Sequence, residues 1–238
     1  MTDSKRQIVV LGGGGFSMEP DNLALDVYIL KQARWSSPLV CFIATASGDA
    51  DGYVVRFYGA FSKLDCRPSH LALFRRTPDL RNFLLRQDVI YVSGGNTKSM
   101  LAVWRDWGLP DILREAWETG IVLAGISAGA ICWFDVGITD SWAGRLVPIS
   151  CLGFLPGTCC PHYDGEAERR PALHDLISRR AVPTALALED GAAAHFVGTE
   201  LLRVVTSRPE ARAYRVQVQE DRSTETEIPV EQLARHPV

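Results

Sequence analysis

No stretch of this chain reaches the roughly 18 consecutive apolar residues that a membrane-spanning helix needs. The apolar run near the start, Ile8-Val9-Val10-Leu11, is too short for a signal peptide or a span, so no membrane association is expected. Positive charge is also scarce: 25 Lys and Arg stand against 28 Asp and Glu, a formal net charge of −3. That balance gives no reason to expect nucleic acid or an anionic lipid surface as partner. The six cysteines (Cys41, Cys66, Cys132, Cys151, Cys159 and Cys160) include no CxxC pair. Adjacent Cys159-Cys160 is poor material for a disulfide or a zinc site, and no metal is expected. Most of these cysteines lie in apolar runs and read as reduced, buried thiols of a cytoplasmic protein. A dinucleotide-binding GxGxxG is missing too. Glycines fill positions 12–15, but Ser17 stands where the third glycine belongs, and no acidic residue ends the second apolar run to hold a ribose. No cofactor is expected.

What is present suits an ordinary globular chain: 47% hydrophobic and 22% charged residues, enough for a core without disulfides or structural metal. Short apolar runs alternate with helical periodicity. Gln7–Leu11, Pro38–Thr45, Ser69–Phe74, Asp88–Val92 and Ile121–Ala124 read as strands. Asn22–Gln32, Val54–Leu64, Leu80–Arg86, Lys98–Trp107 and Ile112–Glu118 read as helices between them. Such alternation predicts βαβ units and a mostly parallel sheet with helices on both faces. Past Phe134 the pattern changes to a hairpin-like pair, Val136–Thr139 and Arg145–Pro148, then a broken apolar stretch, Leu152–Cys160. A charged helix at Ala167–Arg180 precedes four short strands, Thr184–Leu188, Ala192–Val197, Leu201–Val205 and Ala213–Gln217. No repeat, low-complexity tract or linker interrupts the chain. Residues 1–238 therefore read as one domain with a polar, loosely attached tail at 219–238, broken only by a short turn at Val230–Leu233.

The chemistry concentrates in Ile121–Phe134, IVLAGISAGAICWF. A short apolar strand runs into Gly125-Ile126-Ser127-Ala128-Gly129, and Ala130–Phe134 resumes as a buried helix. Glycine two residues either side of a serine, between strand and helix, is the nucleophile-elbow pattern. The sharp turn strains the serine backbone and leaves no room for side chains at the flanking positions. A helix starting there aims free N–H groups at the serine oxygen.

Such a serine needs a base. His70 opens a strand, His174 lies on a charged helix, His195 sits in an apolar strand and His236 is in the tail. His162 follows Pro161 in a polar loop, where catalytic side chains tend to be carried, and is the expected base. An acidic partner would fix its tautomer. Asp140, Asp164, Glu189 and Asp190 are the candidates. Asp164 reads as a turn cap, whereas Asp140 and Asp190 each end a short strand and either is placed to approach the imidazole. Two backbone donors should form an oxyanion hole, Ala128 after the serine and the glycine turn Gly94-Gly95-Asn96-Thr97. Asn96 or Thr97 also reads as a helix cap.

These segments together resemble the peptidase E family of serine peptidases, which includes aspartyl dipeptidase and cyanophycinase. The resemblance runs through GGGGF at 12–16, SGGNT at 93–97, GISAGAICW at 125–133, CPHYDGE at 160–166 and EDGAA at 189–193. It implies a flavodoxin-like or class I amidotransferase-like α/β sheet, here followed by a C-terminal run of short strands. It also implies Ser127 as nucleophile, His162 as base and the Gly95 and Ala128 amides as oxyanion hole. For the third member it offers both Asp140 and Asp190, and the reading leans to Asp140, leaving Asp190 for the substrate amine. The implied substrate is a small peptide, with N-terminal aspartate one option. Arg169 or Arg170 would then fork its carboxylate, with Asn96, Thr97 and Glu189 also lining the site. A monomer or homodimer is expected. Two alternatives stand beside this reading, an α/β-hydrolase esterase using His236 and a non-catalytic ligand-binding relative.

Overall fold

The apolar runs of the first half fold as strands because each is too short for a helix and is bounded by glycine or polar turns. The computed structural model describes residues 6–237; the polar start at 1–5 and residue 238, within the expected 1–238 domain, lie outside the described residues. In chain order the first half holds β1 (Gln7–Leu11), α1 (Gly15–Met18), α2 (Ala24–Leu30), β2 (Leu39–Ile43), α3 (Asp51–Phe61) and β3 (Arg67–Leu71). Then come α4 (Leu80–Leu84), β4 (Val89–Val92), α5 (Thr97–Asp106), α6 (Leu109–Glu118), β5 (Val122–Ile126) and α7 (Ala128–Ile131). The second half holds β6 (Phe134–Thr139), β7 (Val147–Ser150), β8 (Leu155–Cys160), α8 (Arg169–Ser178) and β9 (Ala185–Leu188). It ends with β10 (Ala192–Val197), β11 (Glu200–Thr206), β12 (Ala213–Gln219), β13 (Arg222–Ile228) and β14 (Val230–Gln232).

Eight strands form one sheet in the order β14-β11-β10-β1-β5-β4-β2-β3. The pairings β1–β5, β5–β4, β4–β2 and β2–β3 are parallel, and β10 is antiparallel to both β1 and β11. The alternation along β1 shows how the sheet is covered. Ile8 and Val10 pack on one face with Leu101, Trp104, Leu113 and Trp117 of α5 and α6. Val9 and Leu11 pack on the other with Phe16, Leu25, Ile29 and Phe57 of α1, α2 and α3. The expected α/β layering is thus present.

A second sheet was not anticipated. Six strands run β13-β12-β9-β8-β6-β7, with β6–β8 and β8–β9 parallel and the outer pairings antiparallel. Leu173, Leu176 and Ile177 of α8 cover it. The stretch expected to be a loose tail supplies β13 and β14. Its strands carry no apolar alternation, because β13 is an edge strand reading RSTETEI, and its pairing comes from the ladder to β12. Among the described residues no helix is long and apolar enough to cross a membrane.

Candidate active site

Both halves meet at the carboxyl end of β1. The Ser127 amide donates to the Leu11 carbonyl and the His162 amide to the next one, Gly12, each at 3.2 Å. One residue further, Gly13 bridges Asp190, and the Gly191 amide donates to the Gly13 carbonyl at 3.0 Å. The four-glycine turn, which fails as a dinucleotide fingerprint, is therefore the seat of the site.

Ser127 is held with φ 56° and ψ −113°, a backbone that a non-glycine residue adopts only under constraint. The constraint is visible on both sides. A Cβ on Gly125 would collide with the Gly129 carbonyl, and one on Gly129 with the Val92 carbonyl of β4. The elbow helix, expected at Ala130–Phe134, is instead the short α7 beginning at Ala128, and Phe134 already belongs to β6. The Ala128 amide has no acceptor among the described residues, and neither has that of Gly95. Gly94 lies against the serine: a Cβ there would stand 3.3 Å from Ser127 Cβ and 3.8 Å from its Oγ. Gly95 has φ 136°, and a side chain would overlap the Ala46 carbonyl, which accepts the Asn96 amide at 2.7 Å.

His162 is the second strained residue, with φ 52°. Its Nδ1 lies 2.6 Å from Asp190 Oδ1, and the two side chains are only 14% and 11% exposed. The pairing follows from the end of β1: the His162 amide donates to the Gly12 carbonyl and Asp190 bridges Gly13, so consecutive residues of one turn carry the two side chains. The carboxylate fits because neither Gly13 nor Gly165 has a side chain to occupy its place. Asp164, expected to cap a turn, reaches back to accept the Asp190 amide at 2.7 Å. No hydrogen bond joins Ser127 Oγ to the imidazole among the described residues, and the imidazole's recorded bond is the one to Asp190.

Asp140 does not take the place expected for it. It follows β6, on the far side of β8, and its 65% exposed carboxylate lies 3.9 Å from Arg169. The carboxylate against the imidazole is that of Asp190, and not of Asp140, to which the sequence reading leans. Arg169 is not a free fork either. It is buried, donating to Glu166 at 2.8 Å and to the Ile138 carbonyl at 3.0 Å. Arg170 lies between the Tyr163 and Tyr214 rings, 4.7 and 5.0 Å from their centroids, and pairs with Glu189 and Glu225. Glu189 accepts the Arg212 amide at 2.8 Å, and burial raises its pKa above the usual carboxylate range. Asn96 caps α5 through the Ser99 amide, and Thr97 is buried against Thr139. These five side chains hold structure together around the site.

The other histidines are placed elsewhere. His195 is a satisfied core residue, bonded to Tyr28 and Gln7, its pKa lowered by burial to about 4. His174, on the charged helix, joins Glu225 and Ser223. His236, needed by the esterase alternative, is fixed through its backbone to Asn22 and Leu23. Among the described residues no group of three or more His, Cys, Asp and Glu side chains is placed to hold a metal ion.

A parallel α/β sheet with a strained serine between strand and helix, beside a His–Asp pair, defines a hydrolase-type site, and the comparisons give the class: the chain is a peptidase. It belongs to peptidase family S51, the peptidase E family, whose profile matches residues 8–204. It is 56% identical over 229 residues to the uncharacterized peptidase YgaJ of Bacillus subtilis (strain 168), covering 96% of this chain and 99% of that protein. Its fold is similar to a peptidase from an acI-B1 Actinobacterium, with TM-score 0.75, 16% identity and 98% of both chains covered. It is also similar to a putative peptidase E protein from Listeria monocytogenes EGD-e, with TM-score 0.63 and 19% identity over 83% of this chain and 97% of that one.

Proposed function

We propose that this peptidase is a serine peptidase acting on dipeptides or other short peptides through an acyl-enzyme. The observation that carries the reading is the 2.6 Å contact of His162 Nδ1 with Asp190 beside the strained Ser127 elbow. In this reading Ser127 Oγ attacks the scissile carbonyl carbon while His162 Nε2 takes the hydroxyl proton. Asp190 accepts the Nδ1 proton bond, fixing the tautomer and stabilising the imidazolium. The oxygen that becomes negative lies between the Gly95 and Ala128 amides, the two donors left without internal acceptors. His162 then returns the proton to the leaving amine as the C–N bond breaks. Water, deprotonated by the same imidazole, releases the acid product and restores Ser127.

For the free α-amine of the substrate the reading assigns Asp140, whose neighbour Ser141 accepts a hydrogen bond from the Asn96 side chain beside Gly95. A requirement for N-terminal aspartate would need an uncommitted cation, and Arg169 and Arg170 are both engaged by carboxylates. The reading is therefore a short-peptide hydrolase that does not demand aspartate. A panel of Asp-Xaa, Glu-Xaa, isoaspartyl, Ala-Xaa and Leu-Xaa dipeptides, run beside p-nitrophenyl esters, tests it. Hydrolysis of several classes of dipeptide is expected. Cleavage of Asp-Xaa alone would return the aspartyl specificity, and ester turnover without any peptide cleavage would remove the peptidase mechanism.

A further inference from the structure

Ser17, the residue that breaks the dinucleotide fingerprint, is left without a task by the mechanism above. Its hydroxyl lies 2.7 Å from the Tyr53 hydroxyl, a contact that spans α1 to α3. Tyr53 is 9% exposed, and its phenolic oxygen also faces the backbone of Gly94. Gly94 in turn packs on Ser127 and precedes Gly95, whose amide is one of the two free donors beside the serine.

The chain of contacts has a definite beginning and end. It starts on α1, directly after the glycine turn that seats His162 through Gly12 and Asp190 through Gly13. It ends on the peptide that presents the Gly95 amide. That peptide is pinned on its far side by the Asn96 amide donating to Ala46 at 2.7 Å. On its near side the Tyr53 phenolic oxygen faces the Gly94 backbone, and Gly94 has no side chain of its own. Two glycines in sequence are conformationally loose, and a free amide between them needs anchors on both flanks to stay aimed.

We propose that Tyr53, held by Ser17, is a positioning residue that fixes the Gly94–Gly95 peptide so that the Gly95 amide meets the oxyanion on Ser127. The proposal rests on the serine-peptidase reading. Packing by itself does not account for the hydroxyl. The Tyr53 ring already meets Phe16 and Phe42 at 5.8 and 5.3 Å, and phenylalanine would keep both contacts.

Tyr53→Phe therefore isolates the hydroxyl. Steady-state turnover of p-nitrophenyl acetate and inhibition by phenylboronic acid, which forms a tetrahedral oxyanion-bearing adduct on serine, read the two consequences. Loss of a whole oxyanion donor costs about 10²–10³ in kcat, so a misaimed one should cost roughly 10- to 50-fold. KM should stay within about twofold, because the amide acts on the transition state and not on ground-state binding. The boronate inhibition constant should rise by the same factor as kcat/KM falls. Ser17→Ala should move both in the same direction, and Ser17→Thr, which keeps the hydroxyl, should restore them. Wild-type kcat in Tyr53→Phe overturns the proposal. So does a fall in melting temperature with kcat and boronate affinity unchanged, which would make the contact structural. Ser127→Ala, measured alongside, separates the failures. If it keeps turnover, the serine-peptidase reading falls and the inference with it; if it is inactive while Tyr53→Phe is normal, the inference alone falls.

Discussion

Ser127 and His162 hang from consecutive carbonyl oxygens of one strand end, Leu11 and Gly12. One parallel strand, β1, thus sets the spacing of two residues that lie 35 positions apart in the chain. Both carry positive φ, so the strain at each is held by the same short segment.

The two acids should separate kinetically. Asp190→Asn removes the acceptor that fixes the imidazole tautomer and should lower kcat by roughly 10⁴ with KM little changed. Asp140→Asn should place most of its effect in KM, since an exposed carboxylate meeting the α-amine serves binding. Initial-rate measurements on one cleaved dipeptide check both, and the reverse split would give the roles back to the opposite residues.

Gly13→Ala is a test of the seat. The new methyl group would collide with the Asp190 carboxylate and push it off His162. The expected loss in kcat approaches that of Asp190→Asn, and the double variant should be no worse than the single ones. Additive losses would show that Gly13 acts independently of the pair.

Stability should fall as pH rises toward 8 because of Asp26. This side chain accepts the Phe16 amide at 2.7 Å, its other oxygen has no hydrogen-bond partner among the described residues, and burial raises its pKa from 3.8 to about 8. A carboxyl raised in the folded state stays protonated there while the unfolded chain has lost its proton. Its contribution is fully present below the unfolded value and is lost progressively as pH climbs to the folded one. Thermal unfolding between pH 5 and 9 should show this slope in the wild type and a flatter profile in Asp26→Asn. Equal slopes would remove Asp26 as the cause.

Much of this was legible in the chain. The elbow declares itself because glycine at 125 and 129 records a backbone collision that no other residue tolerates. His162 is legible because it heads a polar loop after an apolar run. The acid was not, because Asp140 and Asp190 both follow strands that flank β8, and only the contacts at the end of β1, His162 on Gly12 and Asp190 on Gly13, bring one of them to the imidazole. Arg169 shows the same limit, since a buried arginine bonded to Glu166 and an exposed one facing substrate have the same local sequence. The second sheet stayed hidden because the hairpin-like pair and the late short strands carry no mark of which sheet they join, and β13 is polar along its length.

The most direct measurement is dipeptide hydrolysis by Ser127→Ala protein, with circular dichroism confirming its fold. Removing the nucleophile of a triad costs about 10⁶ in kcat, so turnover should drop to the detection limit while the fold and melting temperature hold. Near-wild-type turnover by this variant would contradict the account, because the proposed mechanism has Ser127 as its nucleophile.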